Sequence, residues 1–365
     1  MKKHIAFIVE SAHGHINPTL GIASELVRRG HRVTHAVKKS FAARVIASGA
    51  EAMIYHPLET KLNLFQEMAQ VPGDEFPFDF SRVDSDRFAK ERFQREVDDT
   101  LSQLQTLYKN DRPDLIVYDT MNPAGTSLAT EWGIPRIEHC PMMIEPGGAE
   151  HSADLIIVSL PEFLQEHRET LDNRFHFVGP VYNEGTFFKP FTLASYPGPT
   201  VLISATTGLL PQAEFFLTAL RAFEDLPWQV ILSIGEHLDP ATLGPIPEHF
   251  QINQFSSQPK ILERSSLFIG QGGPASALEA LHYGVPPLLI PPSQFHDMYA
   301  RRIEKLGLGI RLPHTDFSAE TLKAAAVSLL KDQPILDRVA AVKTKLRESR
   351  GASQAADLVE NYMSH

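Results

Sequence analysis

Residues 268–290 read FIGQGGPASALEALHYGVPPLLI, and no other stretch constrains the chain as much. An apolar segment leads into a glycine-rich turn, then a helical pattern, then a second apolar segment. A strand–helix–strand unit of this kind sets its two strands parallel, with the helix covering one face of their sheet. The turn itself has two readings. Gly270, Gly272 and Gly273 either reverse the chain or let the backbone approach a phosphate. The helix from about Pro274 points its free N–H groups into the turn, which is an anion site by geometry and needs no lysine. Ser276 adds a hydroxyl donor, and Glu279, one turn later, is placed to accept from a ribose hydroxyl. The spacing is not the GxGxxG of a dinucleotide fold.

The same rhythm recurs along the chain. His4–Val9 reads as a strand and Leu20–Arg29 as a helix with Leu20, Ala23, Leu26 and Val27 on one face. Arg32–Val37 is a strand, followed by a helix around Phe41–Ser48. Leu115–Tyr118, Thr126–Trp132 and Arg136–His139 continue as strand, helix, strand. Such alternation predicts an α/β chain with parallel sheets covered on both faces. Residues Glu59 to Asp86 break it with a Pro-, Phe- and acid-rich loop, and Arg87 to Tyr108 follows as one long helix. A second alternating set runs through Thr200–Ser204, Ala213–Phe223, Gln229–Ile234, Ile261–Glu263, Ser266–Ile269, Ala275–His282 and Pro287–Ile290. The turn-rich segment Asn183–Pro199 lies between the two sets, and from Phe317 onward the chain is helical. The 365 residues thus divide into a first domain over 1–185, a linker over 186–199, a second domain over 200–345 and a final helix over 346–365. Two doubly wound halves place ligands at the carboxyl ends of their strands.

Composition narrows the function. The net charge is −10 and no Lys/Arg run is present, which argues against nucleic acid as a partner. A single cysteine, Cys140, cannot form an internal disulfide and suits a reducing cytoplasm. The apolar run near the amino terminus, Ile5 to Val9, is too short for a secretory signal, and no stretch approaches the ~20 apolar residues of a membrane span. With neither CxxC nor HExxH, no metal site is expected.

Two further segments offer chemistry. SAHGHINPT, Ser11 to Thr19, follows the first strand directly, so His13 and His15 fall at the carboxyl edge of the first sheet. Asn17 is suited to cap the next helix and Pro18 to its first turn. A histidine there is either a general base or an idle polar loop residue. Asp119 ends the strand in RPDLIVYD at the same edge. It either orients a histidine or caps the helix that starts near Asn122.

In order and spacing, GHINPTLGIASELVRRGHRVTHAV, RPDLIVYD, FHFVGP, PWQVILSIG and SLFIGQGGPASALEALHYGVPPLLIP resemble the bacterial macrolide-type glycosyltransferases of the GT-B, UDP-glycosyltransferase superfamily. The resemblance spans nearly the whole chain. It implies two Rossmann-like domains, the first binding acceptor and the second nucleotide sugar, with the final helix, AADLVENYM, crossing back to the first. It implies inverting transfer at the anomeric carbon without a metal or other cofactor. His15 then deprotonates the acceptor hydroxyl and Asp119 orients it, with His13 a lesser candidate beside the acceptor. On the donor side it implies Phe255 stacking on the base, Gln258 contacting it, Glu279 on the ribose, Gly273 and Ser276 at the phosphates, and Thr207 among the donor-binding residues.

Four departures from the pattern concern the donor. Gln271 stands where the family has histidine on the diphosphate, Ala275 where it has asparagine, and Thr206 where it has glycine. Phe295-His296 replace the carboxylate–amide pair that binds sugar hydroxyls, with Asp297 one position on. A neutral amide at Gln271 forgoes a charge-assisted bond, worth roughly twice a neutral one. A site without its carboxylate no longer rewards a fully hydroxylated hexose. The expected donor is therefore a deoxy or modified sugar, or a uronic acid met by His296 or Arg301. The acceptor expected is a hydrophobic natural product such as a polyketide, with Phe76, Phe78, Phe80, Met142 and Met143 either lining its pocket or filling the core. The rival reading is a non-catalytic relative that binds nucleotide or hydrophobic ligand; a nucleotide-sugar epimerase ranks third. The protein is expected to act as a monomer or homodimer.

Overall fold

The computed structural model describes residues 2–58, 87–144, 151–182, 192, 196–205, 212–235, 238–254 and 258–364. These residues form two units. The first holds the chain up to 182 together with 349–364, and the second the residues from 192 to 348.

Among the described residues, the first unit is built on seven strands: β1 (His4–Ile8), β2 (Arg32–Val37), β3 (Glu51–Ile54), β4 (Leu115–Asp119), β5 (Arg136–Cys140), β6 (Ile156–Val158) and β7 (Phe175–Phe177). Their order is β3-β2-β1-β4-β5-β6-β7, and every pairing is parallel. Every residue of β1 and β4 is buried, as expected for central parallel strands covered on both faces. One face carries Phe7, Val117 and Ile137 against helix α1 (His13–Arg28), which buries Ile16, Leu20, Ile22, Ala23 and Leu26 at helical spacing. The other face meets α4 (Pro123–Trp132), and α2 (Ala42–Ala47) and α3 (Arg87–Tyr108) complete the alternation. A methyl group at Gly125 of α4 would lie 2.7 Å from Tyr118 Cβ and 3.2 Å from Ile8 Cβ, so this helix rests directly on the ends of β1 and β4.

Helix α1 starts earlier than its sequence suggests. Its N-cap is Ala12, which makes His13 and His15 first-turn residues and puts Asn17 and Pro18 inside the helix. Asn17 therefore caps nothing; its Oδ1 accepts a hydrogen bond from Arg44 Nη1 at 3.2 Å. Pro18 lies in the second turn, and the helix runs on through it to Arg28.

The last helix of the chain, α11 (Gly351–Met363), belongs to this first unit. Ala355, Ala356 and Val359 are fully buried in the core with α1. Arg29, just past the end of α1, fastens it: Nη1 donates to Asp357 Oδ1 at 2.7 Å and Glu360 Oε2 at 2.6 Å, and Nη2 to the Ser353 carbonyl at 3.0 Å.

His35 sits in β2 with its ring stacked on Phe7 at 4.6 Å, and neither ring nitrogen has a hydrogen-bond partner. Burial pushes this imidazole down to about 3, with the His139 ring adding to the effect. Because the folded value lies below the unfolded one, the neutral ring's contribution to stability is present above pH 6.5 and is lost as pH falls toward 3. The expected difference at pH 5 is about 2 kcal/mol. His35→Phe keeps the stack but cannot titrate. Its stability relative to the parent protein is therefore expected to rise by that amount between pH 7 and pH 5 in urea melts. An unchanged difference between the two pH values would remove His35 as the titrating group.

The second unit repeats the plan. Among the described residues its sheet runs β10-β9-β8-β11-β12-β13, all parallel. These are β8 (Thr200–Ser204), β9 (Gln229–Ser233), β10 (Phe250–Asn253), β11 (Leu267–Gly270), β12 (Pro287–Leu289) and β13 (Ile310–Arg311). Helices α5 (Gln212–Phe223), α6 (Gln258–Leu262), α7 (Pro274–Tyr283), α8 (Gln294–Lys305), α9 (Ala319–Leu329) and α10 (Gln333–Arg347) accompany them. Of the segment Ile261–Glu263, Ile261 and Leu262 are thus helical, as the end of α6. No helix among the described residues is long and apolar enough to cross a membrane.

Candidate active site

Each unit gathers polar groups at the carboxyl edge of its sheet. In the first unit, β4 ends at Asp119, and the first turn of α1 brings His15 to it. His15 Nδ1 lies 2.9 Å from Asp119 Oδ2. The carboxylate is fully buried, while the imidazole keeps 18% of its surface exposed. Asp119 Oδ1 accepts the backbone N–H of Met121 at 2.7 Å, which fixes the rotation of the carboxylate. Burial alone would raise the Asp119 carboxyl, but the His15 and His139 imidazoles outweigh it and hold it well below the usual carboxylate range. An ionised Asp119 accepts a hydrogen bond from the Nδ1–H of His15, which leaves the lone pair of the ring on Nε2. That arrangement can remove a proton from a hydroxyl group.

The other face of the same two strands is also tied down. Buried Glu138 accepts from Tyr118 Oη at 3.0 Å and Thr120 Oγ1 at 2.9 Å, and His151 Nδ1 lies 2.6 Å from its Oε1. A satisfied buried network of this kind stiffens the strand ends on which Asp119 sits.

Of the acceptor-side candidates, His13 is half-buried and meets the Phe41 ring edge-on at 4.9 Å. Met142 is half-buried and its carbonyl accepts from Cys140 Sγ at 3.4 Å. Burial pushes that thiol up to about 12, so Cys140 is a packing residue and no nucleophile. Phe78, with Phe76 and Phe80, lies outside the described residues.

In the second unit the β11–α7 turn is Gly270–Gly273. Gly272 has φ 81°, and a methyl group there would lie 2.9 Å from the carbonyl oxygen of His296. Only glycine fits a left-handed position pressed against another backbone. The turn therefore touches the first turn of α8 and brings two candidate segments together. Gly273 caps α7 and Pro274 opens it, leaving the N–H groups of Ala275 and Ser276 directed at the turn. Gln271 is buried, 3% exposed.

Gln258 and Glu279 also meet. Gln258 Nε2 donates to Glu279 Oε2 at 2.6 Å. Burial pushes the Glu279 carboxyl up to about 7, against the opposing effect of that bond.

At the start of α8, Ser293 Oγ accepts from the His296 N–H and lies 2.7 Å from His296 Nδ1. Burial pushes this imidazole down to about 4, giving a neutral ring. Phe295 packs edge-on against His296 at 5.4 Å and Tyr299 at 5.3 Å. Asp297 is engaged elsewhere: Arg301 Nε donates to its Oδ2 at 2.6 Å and Arg311 Nε to its Oδ1. Both oxygens already hold a guanidinium. Thr207 and Phe255 lie outside the described residues, as does Thr206. Among the described residues, no group of three or more His, Cys, Asp or Glu is arranged to hold a metal ion.

One neighbour of this chemistry was missed in reading the sequence. His139 lies one residue before the end of β5, in register with Asp119, with Nδ1 3.9 Å from Asp119 Oδ2. The strand-end criterion that picked out Asp119 applies to it equally.

Known proteins share this architecture. The family described as erythromycin biosynthesis protein CIII-like, C-terminal domain, matches residues 218–359. The NDP-glycosyltransferase YjiC of Bacillus subtilis is 34% identical over 100% of this chain and 98% of its own. The demethyllactenocin mycarosyltransferase of Streptomyces fradiae is 30% identical over 99% of this chain and 87% of its own. Among solved structures, the calicheamicin glycosyltransferase CalG4 matches with a TM-score of 0.80 at 29% identity, covering 100% of this chain and 99% of that one.

Proposed function

The chain belongs to the macrolide-type NDP-glycosyltransferases of GT-B fold, and from that premise we propose an inverting, metal-independent transfer in which His15 is the base. The observation that carries this reading is the 2.9 Å bond between His15 Nδ1 and buried Asp119. Nε2 takes the proton of an acceptor hydroxyl, and the oxygen attacks the anomeric carbon of the sugar. The bond from that carbon to the nucleoside diphosphate breaks in the same displacement, so the configuration inverts. The leaving diphosphate gains negative charge and is stabilised by the N–H groups that open α7. Asp119 holds the hydrogen on Nδ1 and stabilises the imidazolium that forms.

The acceptor we propose is a hydrophobic natural product, and the donor a deoxygenated or otherwise modified sugar. Phe295 offers no polar group to a sugar hydroxyl, and Asp297 is committed to Arg301 and Arg311. That engagement of Arg301 also disfavours a uronic acid. The buried, neutral Gln271 favours the rival reading of a ligand-binding protein without transferase turnover. Thermal melts against a panel of nucleoside diphosphates and their sugars, followed by turnover assays with the donors that bind, separate the two. Binding with inversion of the anomeric centre in the product supports the transfer reading. Stabilisation by nucleotides with no turnover of any donor sinks it.

Glu279 gives that binding a pH signature. Burial pushes the carboxyl up to about 7 in the free protein, and the ionised form is the stronger acceptor for a ribose hydroxyl. Affinity for UDP or TDP is therefore expected to fall as pH drops below 7, by up to about tenfold per unit. Calorimetric titrations from pH 5.5 to 8.5 would show this slope, and Glu279→Gln should flatten it to that of the diphosphate alone. Equal slopes in the two proteins would remove Glu279 from the ribose.

A further inference from the structure

Asp119 faces a second imidazole that the proposed transfer does not use. His139 is fully buried on β5, in register with Asp119 on β4. Its Nδ1 lies 3.9 Å from Asp119 Oδ2, the same oxygen that receives His15 Nδ1 at 2.9 Å. Its Nε2 lies 2.6 Å from Ser159 Oγ, and its Nδ1 has no hydrogen-bond partner.

Charge decides where the hydrogen sits on this ring. A lone pair on Nδ1 would point at an ionised carboxylate and be repelled, whereas an N–H dipole there is attracted. Ser159, whose hydroxyl can donate or accept, then donates to Nε2. Four groups surround the arrangement: Asp119 from β4, Ser159 just past β6, His15 from α1, and His35 from β2, whose buried ring is neutral near pH 7. Asp119 is the one acid among them. Its other oxygen is pinned by the Met121 N–H, so it cannot turn Oδ2 away.

We propose that His139 is a positioning residue for His15, its Nδ1–H drawing on the charge of Asp119 Oδ2 and so limiting how strongly Asp119 stabilises protonated His15. A base held too tightly in its protonated form is unavailable at neutral pH, and the second imidazole relieves that hold. Without His139 the whole charge of Asp119 acts on His15. Only the kinetic consequence rests on His15 being the base; the titration of His15 does not.

The test follows the His15 Hε1 resonance with pH, identified by its absence in His15→Ala. In His139→Leu the His15 midpoint is expected to rise by roughly half a unit to one unit. His139→Asn, whose amide N–H replaces the one at Nδ1, is expected to restore it. Ser159→Ala, a milder change that frees the ring to exchange tautomers, should move the midpoint in the same direction by less. The ascending limb of kcat/KM against pH should move with the midpoint, lowering the rate about three- to tenfold below it and leaving the high-pH plateau alone. A midpoint unchanged in both His139→Leu and Ser159→Ala overturns the proposal, as does a shift in His139→Asn equal to that in His139→Leu. A midpoint that moves while the kinetic limb stays supports the tuning of His15 and removes His15 as the base.

Discussion

His15→Ala should lower kcat for glycosyl transfer by about 10²- to 10⁴-fold, the contribution typical of a positioned general base, while leaving nucleotide binding intact. The acceptor hydroxyl is a poor nucleophile until its proton leaves, and Nε2 of His15 is the atom on which Asp119 places the lone pair. Asp119→Asn should cost a comparable amount by a different route. An amide can turn its N–H toward Nδ1, and the imidazole hydrogen then moves to Nε2, where it blocks proton acceptance. Both residues belong to the first unit, so the rise in melting temperature with UDP or TDP should match that of the parent protein. Measuring turnover and melting temperature on the same preparations separates lost chemistry from lost folding. Turnover within a few-fold of the parent in His15→Ala would remove this histidine from the reaction, whatever the melting data show.

Gly272→Ala is the second large effect. Its backbone φ of 81° is costly for any residue with a Cβ, and the added methyl would meet the His296 carbonyl at 2.9 Å. Left-handed placement alone costs roughly 1–2 kcal/mol, and contact with a backbone oxygen adds to it because no flexible side chain can yield. Relief requires the opening of α7 and the first turn of α8 to move apart. Those two helix starts are the proposed diphosphate and sugar contacts, so donor affinity should fall at least tenfold alongside the loss of stability. Ser276→Ala, which removes one hydroxyl and leaves the backbone alone, should weaken the donor without destabilising the fold. If urea melts and nucleotide titrations of Gly272→Ala match the parent, the close approach of these two turns has no part in donor binding.

The central architecture was legible because parallel strands covered on both faces leave continuous apolar runs. β1, β4, β8, β9, β11 and β12 read directly for that reason, whereas β2 and β5, RVTHAV and RIEHC, read from the strand–helix rhythm around them. β3, β7, β10 and β13 did not, and they include all four sheet edges. An edge strand such as EAMI or FQIN is only part-buried and carries no such run. The start of α1 was misplaced because Pro18 reads as a first-turn residue, whereas the helix runs on through it from His13.

At the site, strand-end position was enough to nominate His15 and Asp119, since the carboxyl edge of a parallel sheet is fixed by topology. Long-range pairings were beyond that logic. No spacing rule links Gln258 to Glu279, or shows that Arg311 would occupy Asp297, because those meetings depend on how separate helices pack. His139 fell between the two cases: its place at a strand end was readable, but its orientation toward Asp119 was not.

The return of α11 to the first unit sets the order in which a growing chain can finish folding. The second unit has all of its residues once synthesis passes Glu348, whereas the first still lacks Ala355, Ala356 and Val359, which its core requires. Domains usually complete themselves in the order they are made. Here the order is inverted, and the half that is begun first is the last to close. Until the final helix emerges, the apolar groove along α1 stays open to water. A chain that ended at Glu348 would thus carry every residue of the second unit beside a first one that lacks part of its core.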